Sequence, residues 1–284
     1  MKALVALLAA LAAAPVHALT SAEIDAFWNF TQPAVSEVRF RVEHMRWPDD
    51  SAEALEIDTQ IARALGLLRR FDAANAILDR VAPSLAAAPV RVDVRYRLER
   101  GRVLNTSGAA EQAFSWFQRA LERSADDRAP DADYYRVDAL HMMAIAAPPA
   151  RRTELNRRAL AAAESATEPR ARSWRATALN NLGWSLLDDG DAAGALDAWQ
   201  RALVAREASG DVARIREAKW TVARGLRATG KLDDAERMQL ALAVETEAAG
   251  APDPYVYEEL AELARARGDA GAAAQWSAKA KAKR

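Results

Sequence analysis

The chain has no cysteine among its 284 residues. Disulfides, thiolate nucleophiles and cysteine-ligated zinc are therefore excluded, and the redox compartment is left open. Histidine is scarce, at three. His44-Met45 and His141-Met142-Met143 combine donors that suit copper. They fall in separate stretches, and the one carboxylate a helical turn from His141, Asp138, is expected to face away. Packing explains them better, and no metal or other cofactor is expected. There is no glycine-rich phosphate loop, no G-x-S-x-G and no H-E-x-x-H. The acid pairs Asp126-Asp127, Asp188-Asp189 and Asp233-Asp234 stand at turns and helix starts, where solvated caps are ordinary. No enzyme activity is expected. An excess of charge is missing too. The formal net charge is -1, so bulk electrostatics imply neither nucleic acid nor an anionic membrane as partner.

A long apolar segment is also lacking. Met1-Lys2 precedes an apolar run over 3–14, Pro15 breaks it, and Val16-His17-Ala18 follows. The run is about a dozen residues, too short for a span of roughly 20. Its pattern predicts a cleaved secretory signal over 1–18. The mature protein is then periplasmic or secreted, with no membrane span.

What remains is rich in helix formers, with 51% hydrophobic and 28% charged residues, a folded composition. Residues 176–209 organise it. Leu179, Leu182, Gly183 and Leu186 recur at helical spacing on one helix. Asp189-Gly190-Asp191 ends that helix, because glycine readily takes the left-handed conformation. Ala195, Leu196, Trp199, Ala202 and Leu203 repeat the stripe on a second helix. Gly183 and Ala195 are small where the helices must approach, and Trp199 fills the space beyond them. This order resembles the tetratricopeptide repeat. Residues 94–121 resemble it nearly as well, with Gly101, Gly108, Ala113 and Phe117.

The same order continues along the chain. Thr20-Ser21-Ala22-Glu23 is a capping box that opens a short helix with Ile24, Phe27 and Trp28, ending near Phe30. Pro33 suits the first turn of the next helix, running through Val35, Val38, Val42 and Met45 to Trp47-Pro48. With Phe27, Trp28, Phe30 and Phe40 this segment, 19–50, is expected to be a helical cap over the open end of an array. From 51 onward, equivalent positions are Ala74, Ala113, Arg152, Ala195, Ala235 and Ala273, in steps of roughly 40 residues against about 34 in the commonest form. Arg152 departs from the small residue required there. About six hairpins over 51–284 are expected, each too small to bury its apolar face without neighbours. The fold class is all-α, and the resemblance implies an α-solenoid of stacked antiparallel helix pairs wound as a right-handed superhelix.

The resemblance further implies a concave groove lined by the first helix of each pair. In register, its places are taken by Arg63, Arg102, His141, Trp184, Arg224 and Glu262. Gln60, Asn105, Tyr134, Asn180, Trp220, Arg227 and Tyr255 lie near them. A subset of the family grips a peptide carboxylate with Lys, Arg and Asn, and only part of that set is matched. Arginine offers forked donors to carboxylates, asparagine can bond an extended backbone, and Trp and Tyr give rigid apolar surface. The expected function is a non-catalytic scaffold binding a protein or peptide segment, with acidic or C-terminal carboxylate groups. The alternatives are an enzyme or metal-handling protein on the same frame, and a structural subunit of an envelope assembly. Trp116, Trp199 and Trp276 are expected in second-helix packing. Lys279, Lys281, Lys283 and Arg284 read as a solvated helix end.

Overall fold

A computed structural model describes residues 19–126, 129 and 131–283. The expected signal over 1–18 lies outside them. Among the described residues the regular structure is helical, and no helix is long and apolar enough to cross a membrane. The chain divides into two compact units, Met1–Ala88 and Pro89–Arg284.

In the first unit, α1 (Ser21–Ala26) is opened by the reciprocal Thr20–Glu23 capping box and stops at Phe27, short of Phe30. Helix α2 (Pro33–His44) is followed by α3 (Ala52–Leu67), α4 (Phe71–Val81) and a 3-10 turn, Ala82–Ser84. Helix α3 packs against both α2 and α4, so even its Glu56, Asp58 and Gln60 are buried. Helix α2 ends three residues before Trp47, and its apolar stripe faces outward. Val38 is 61% and Met45 77% exposed. The buried face is Ser36, Glu37, Phe40 and Glu43. Aromatic contacts account for this choice. Phe40 meets Phe27 at 5.7 Å and Trp28 at 5.1 Å, both edge to face. Glu43 accepts from Trp47 Nε1 at 3.0 Å, and Glu37 accepts from Arg70 at 3.1 Å.

The second unit pairs α5 (Val90–Thr106) with α6 (Ala110–Ser124), and α7 (Ala132–Ala146) with α8 (Pro149–Ser165). After the single turn α9 (Pro169–Arg172) come α10 (Arg175–Asp188) with α11 (Ala192–Glu207), α12 (Val212–Ala228) with α13 (Leu232–Ala248), and α14 (Pro254–Ala266) with α15 (Ala270–Lys281). Each second helix also packs on the first helix of the next pair. At the turn between α10 and α11, Gly190 has φ +86° and Asp191 N–H reaches back to Leu186 C=O at 2.8 Å, closing the helix end. Between α3 and α4 the same place falls to Arg69, with φ 58°. The α7–α8 turn uses Pro148 and Pro149 instead. There Arg152 stays half-buried and donates from Nε to Ala147 C=O at 3.1 Å. It therefore satisfies the end of α7 where the other pairs bury an alanine.

Close approach within and between pairs rests on glycine against an aromatic ring. Trp199 is fully buried. A Cβ at Gly183 of α10 would overlap its indole, and one at Gly225 of α12 would stand 3.0 Å from it. A Cβ at Gly101 of α5 would likewise overlap the Phe117 ring of α6. Gly183→Leu or Gly101→Leu should therefore cost about 1–3 kcal/mol by overpacking, whereas Lys231→Gln on an exposed turn should stay within about 0.5 kcal/mol. Urea unfolding midpoints check this, and equal midpoints for the three variants would contradict the assigned contacts.

Candidate functional site

The expected groove positions of the second unit do not share one condition. Arg102 of α5 is only 14% exposed at its side chain. Its guanidinium donates to Glu99 at 2.6 Å and to Asp138 of α7 at 2.5 and 2.6 Å. Burial pulls the pKa of Arg102 down, but Asp138 and Glu99 more than offset it and hold the group above the ordinary arginine value. This differs from the expectation of a ligand-facing cation. The physical reason is that Asp138 and Glu99 are buried and must be met by a positive charge. Arg227 of α12 is likewise tied to Glu259 of α14, at 3.2 Å through Nη2 and through a second, Nε contact. That hydrogen bond raises its pKa. Arg63 belongs to the first unit, where its guanidinium lies 5.3 Å from the Trp28 ring and 5.2 Å from the Phe30 ring.

A different group is brought together at α10, α12 and α14. Trp184 and Trp220 are half-buried, with ring centroids 6.1 Å apart. Trp184 meets Trp199 edge to face at 5.1 Å, which fixes it on the core. Trp220 is fixed by its Nε1, which donates to Tyr255 C=O at 3.0 Å. The Arg224 guanidinium carbon sits 5.2 Å from the Trp184 ring and 5.8 Å from the Trp220 ring, a cation–π arrangement. Among the described residues its ion pair is with Glu259, at 3.4 Å, and its side chain is 32% exposed. The site thus presents two immobilised aromatic surfaces and a cation held between them. Tyr255, at the start of α14, is 57% exposed.

The neighbouring positions are amides and aromatics. Asn180 of α10 is half-buried, its C=O accepts from Trp199 Nε1 at 3.1 Å, and its amide approaches Asn181 Oδ1 at 3.4 Å. Asn105 is half-buried near the end of α5, and its C=O accepts from the turn residue Gly108 at 3.1 Å. His141 of α7 shares a hydrogen bond between its Nδ1 and Asn181 Nδ2 at 3.1 Å, and its ring stands 4.9 Å from Trp174. Tyr134 meets Trp174 at 5.9 Å and is covered by the Arg170 guanidinium at 3.4 Å.

Sequence reasoning missed Trp174, Asn181 and Asn156. Asn156 of α8 donates to Asn181 C=O and to Ser185 Oγ, each at 3.2 Å. With His141 and Trp184 these amides line a cleft of about 440 Å³. The Asn181/Ser185 spacing of one helical turn was the available signal. Among the described residues no group of three or more His, Asp or Glu could hold a metal ion. Lys279, expected in a solvated helix end, is 40% exposed at its side chain, bonds Glu247 at 2.6 Å and lies 4.6 Å from the Tyr257 ring.

No family model matches the chain, and no curated protein does. Solved structures do. PilW, a widely conserved type IV pilus biogenesis factor, is 20% identical with a TM-score of 0.59, over 81% of this chain and 93% of that one. The apo form of RapI is 10% identical with a TM-score of 0.68, over 92% and 73%. A Podosopora anserina putative kinesin light chain with nearly identical TPR-like repeats is 17% identical with a TM-score of 0.56, over 69% and 95%. At such identities the likeness shows the fold alone. The chain has the all-α tetratricopeptide-repeat fold of stacked antiparallel helix pairs.

Removing one member of a buried charge cluster leaves the others uncompensated. Arg102→Ala should therefore destabilise the protein by about 3–5 kcal/mol, with no ligand involved. Urea unfolding of the unliganded protein measures this. A loss below about 1 kcal/mol would mean that Glu99 and Asp138 reach water.

Proposed function

We propose that this protein is a non-catalytic, exported scaffold that holds an extended segment of a partner protein against the first helices of its second unit. The observation that carries the reading is the Trp184–Arg224–Trp220 group, two fixed aromatic surfaces around a partly exposed cation. Rigid aromatic and arginine anchors of this kind dominate binding energy at protein interfaces. The half-buried amides at Asn180 and Asn181 supply groups that can bond an extended backbone. PilW is a pilus biogenesis factor, and a Rap protein of the same fold is complexed with Competence and Sporulation Factor. Those names support binding of a protein or peptide partner.

The segment's carboxylate, acidic or C-terminal, is assigned to Arg224. Arg102 and Arg227 already neutralise buried carboxylates, so one charge contact is expected and not a row of them. Export rests on the pattern over 1–18, and the periplasm or the exterior is the assigned compartment. The division into signal 1–18, cap 19–50 and array 51–284 belongs to the same proposal.

Titration of the partner against folded variants tests the site. Trp184→Ala should cost at least about 2 kcal/mol of binding and Arg224→Ala about 1–3 kcal/mol. Val204→Asp, on the exposed face of α11, should change nothing. Loss with Val204→Asp alone would move the site to the second helices. Export is checked by N-terminal sequencing of the mature protein, which should begin near Leu19. An intact Met1 on protein from the cytosol would refute it.

A further inference from the structure

Beside Trp220 lies a cleft of about 630 Å³, within the range of small-ligand pockets, roughly 300–1,000 Å³. Its origin is a mismatch between two first helices. Helix α12 starts at Val212 and α14 at Pro254, yet Trp220 Nε1 bonds Tyr255 C=O. Eight residues of α12 therefore precede the contact where α14 supplies one. At about 1.5 Å per residue, roughly two turns of α12 extend beyond the start of α14. The end of α13 and the connection through Ala251 form the far wall.

The lining divides sharply by chemistry. Each of its charged members has one partner. Arg216 bonds Glu245 at 2.8 Å, Glu217 bonds Arg214 at 2.8 Å, and Asp253 caps α14 by accepting from Tyr255 N–H at 2.9 Å. Hydrogen bonding to Arg216 and Lys219 holds the Glu245 carboxyl below its usual range, so it stays ionised at neutral pH. Thr246 donates to Ala243 C=O at 3.1 Å, and the Trp220 indole N–H is spent on Tyr255. The rest of the lining is mainly apolar: Ala213, Pro254 and the rings of Trp220 and Tyr255, with Leu242 and Val256 buried behind them. A charged guest would lose hydration there and would have to compete with these existing pairs for a partner. A flat or branched apolar group would lose nothing.

Trp220 joins this cleft to the group at Arg224. We infer that the cleft takes an uncharged aromatic or bulky aliphatic side chain of the same extended partner segment whose carboxylate meets Arg224. This rests on the groove reading above and adds to it the partner's sequence character: an apolar anchor near its acidic or terminal group.

The test uses blocked tripeptides, acetyl-Ala-X-Ala-amide with X as Phe, Leu, Asp or Lys, titrated into the whole protein. The Trp220 indole N–H resonance, assigned by its loss in Trp220→Phe, reports binding. Phe and Leu peptides should bind at least tenfold tighter than Asp and Lys peptides, and Ala213→Phe, which fills the cleft from an exposed position of α12, should abolish the shift. Ala251→Phe on the connecting loop is the second variant if the first does not fold. Preference for the Asp peptide, or no shift with Phe and Leu, overturns the inference. So does p-cresol binding as tightly as the Phe peptide while the partner's affinity is unchanged in folded Ala213→Phe, which marks a small-molecule site. A partner weakened tenfold by Trp184→Ala but untouched by Ala213→Phe leaves the groove reading standing and removes the cleft. A partner untouched by either removes both.

Discussion

A single indole, Trp199, holds three helices at contact distance in the second unit. It fills the space between the Cα-only surfaces of Gly183 and Gly225, and its Nε1 donates to Asn180 C=O. A ring of that size contributes a large buried apolar area. That area is available only because neither glycine has a Cβ. The buried N–H would be costly without an acceptor, and the carbonyl one turn from Gly183 supplies it. Phe117 against Gly101 repeats the device without the polar handle. Leu179, Leu182, Leu196 and Tyr257 then gather into the apolar core around Trp199.

The binding group is a consequence of this packing. Trp184 is one residue beyond Gly183, so it emerges beside Trp199 and rests on it edge to face. Trp220, five residues before Gly225, emerges from the next first helix and is pinned by its bond to α14. Neither indole is free to turn, which lowers the entropy lost when a partner binds. The arginines around them have unequal tasks. Glu259 is only 2% exposed, and Arg227 donates to both of its oxygens. Arg224 is left with a long contact and two ring faces, so it is the cation that can meet a partner.

The first unit follows a different rule. Its apolar side chains on α2 outnumber its buried ones, yet Val35, Val38 and Val42 point outward. Phe40 sets the rotation of the helix by entering the Phe27–Trp28 cluster. Glu37 and Glu43 follow it inward because Arg70, Arg46 and Trp47 are there to meet them. Three small valines at helical spacing are a weaker instruction than one phenylalanine with aromatic partners.

The sequence by itself determined the helix pairs, their turns and their close contacts. Those features are local: an apolar period of 3.6, a glycine at a left-handed turn, and a glycine facing an aromatic sixteen residues on, as in Gly101–Phe117 and Gly183–Trp199. It also located Trp184, Trp220 and Arg224 on one face. Only the tertiary structure decided which arginines have charge to spare. Asp138 lies 36 residues from Arg102, and Glu259 lies 32 from Arg227, so no local pattern reveals the pairing. The cleft beside Trp220 was illegible for the same reason. It arises from where α12 and α14 begin relative to one another, and that offset exists only once neighbouring pairs are stacked.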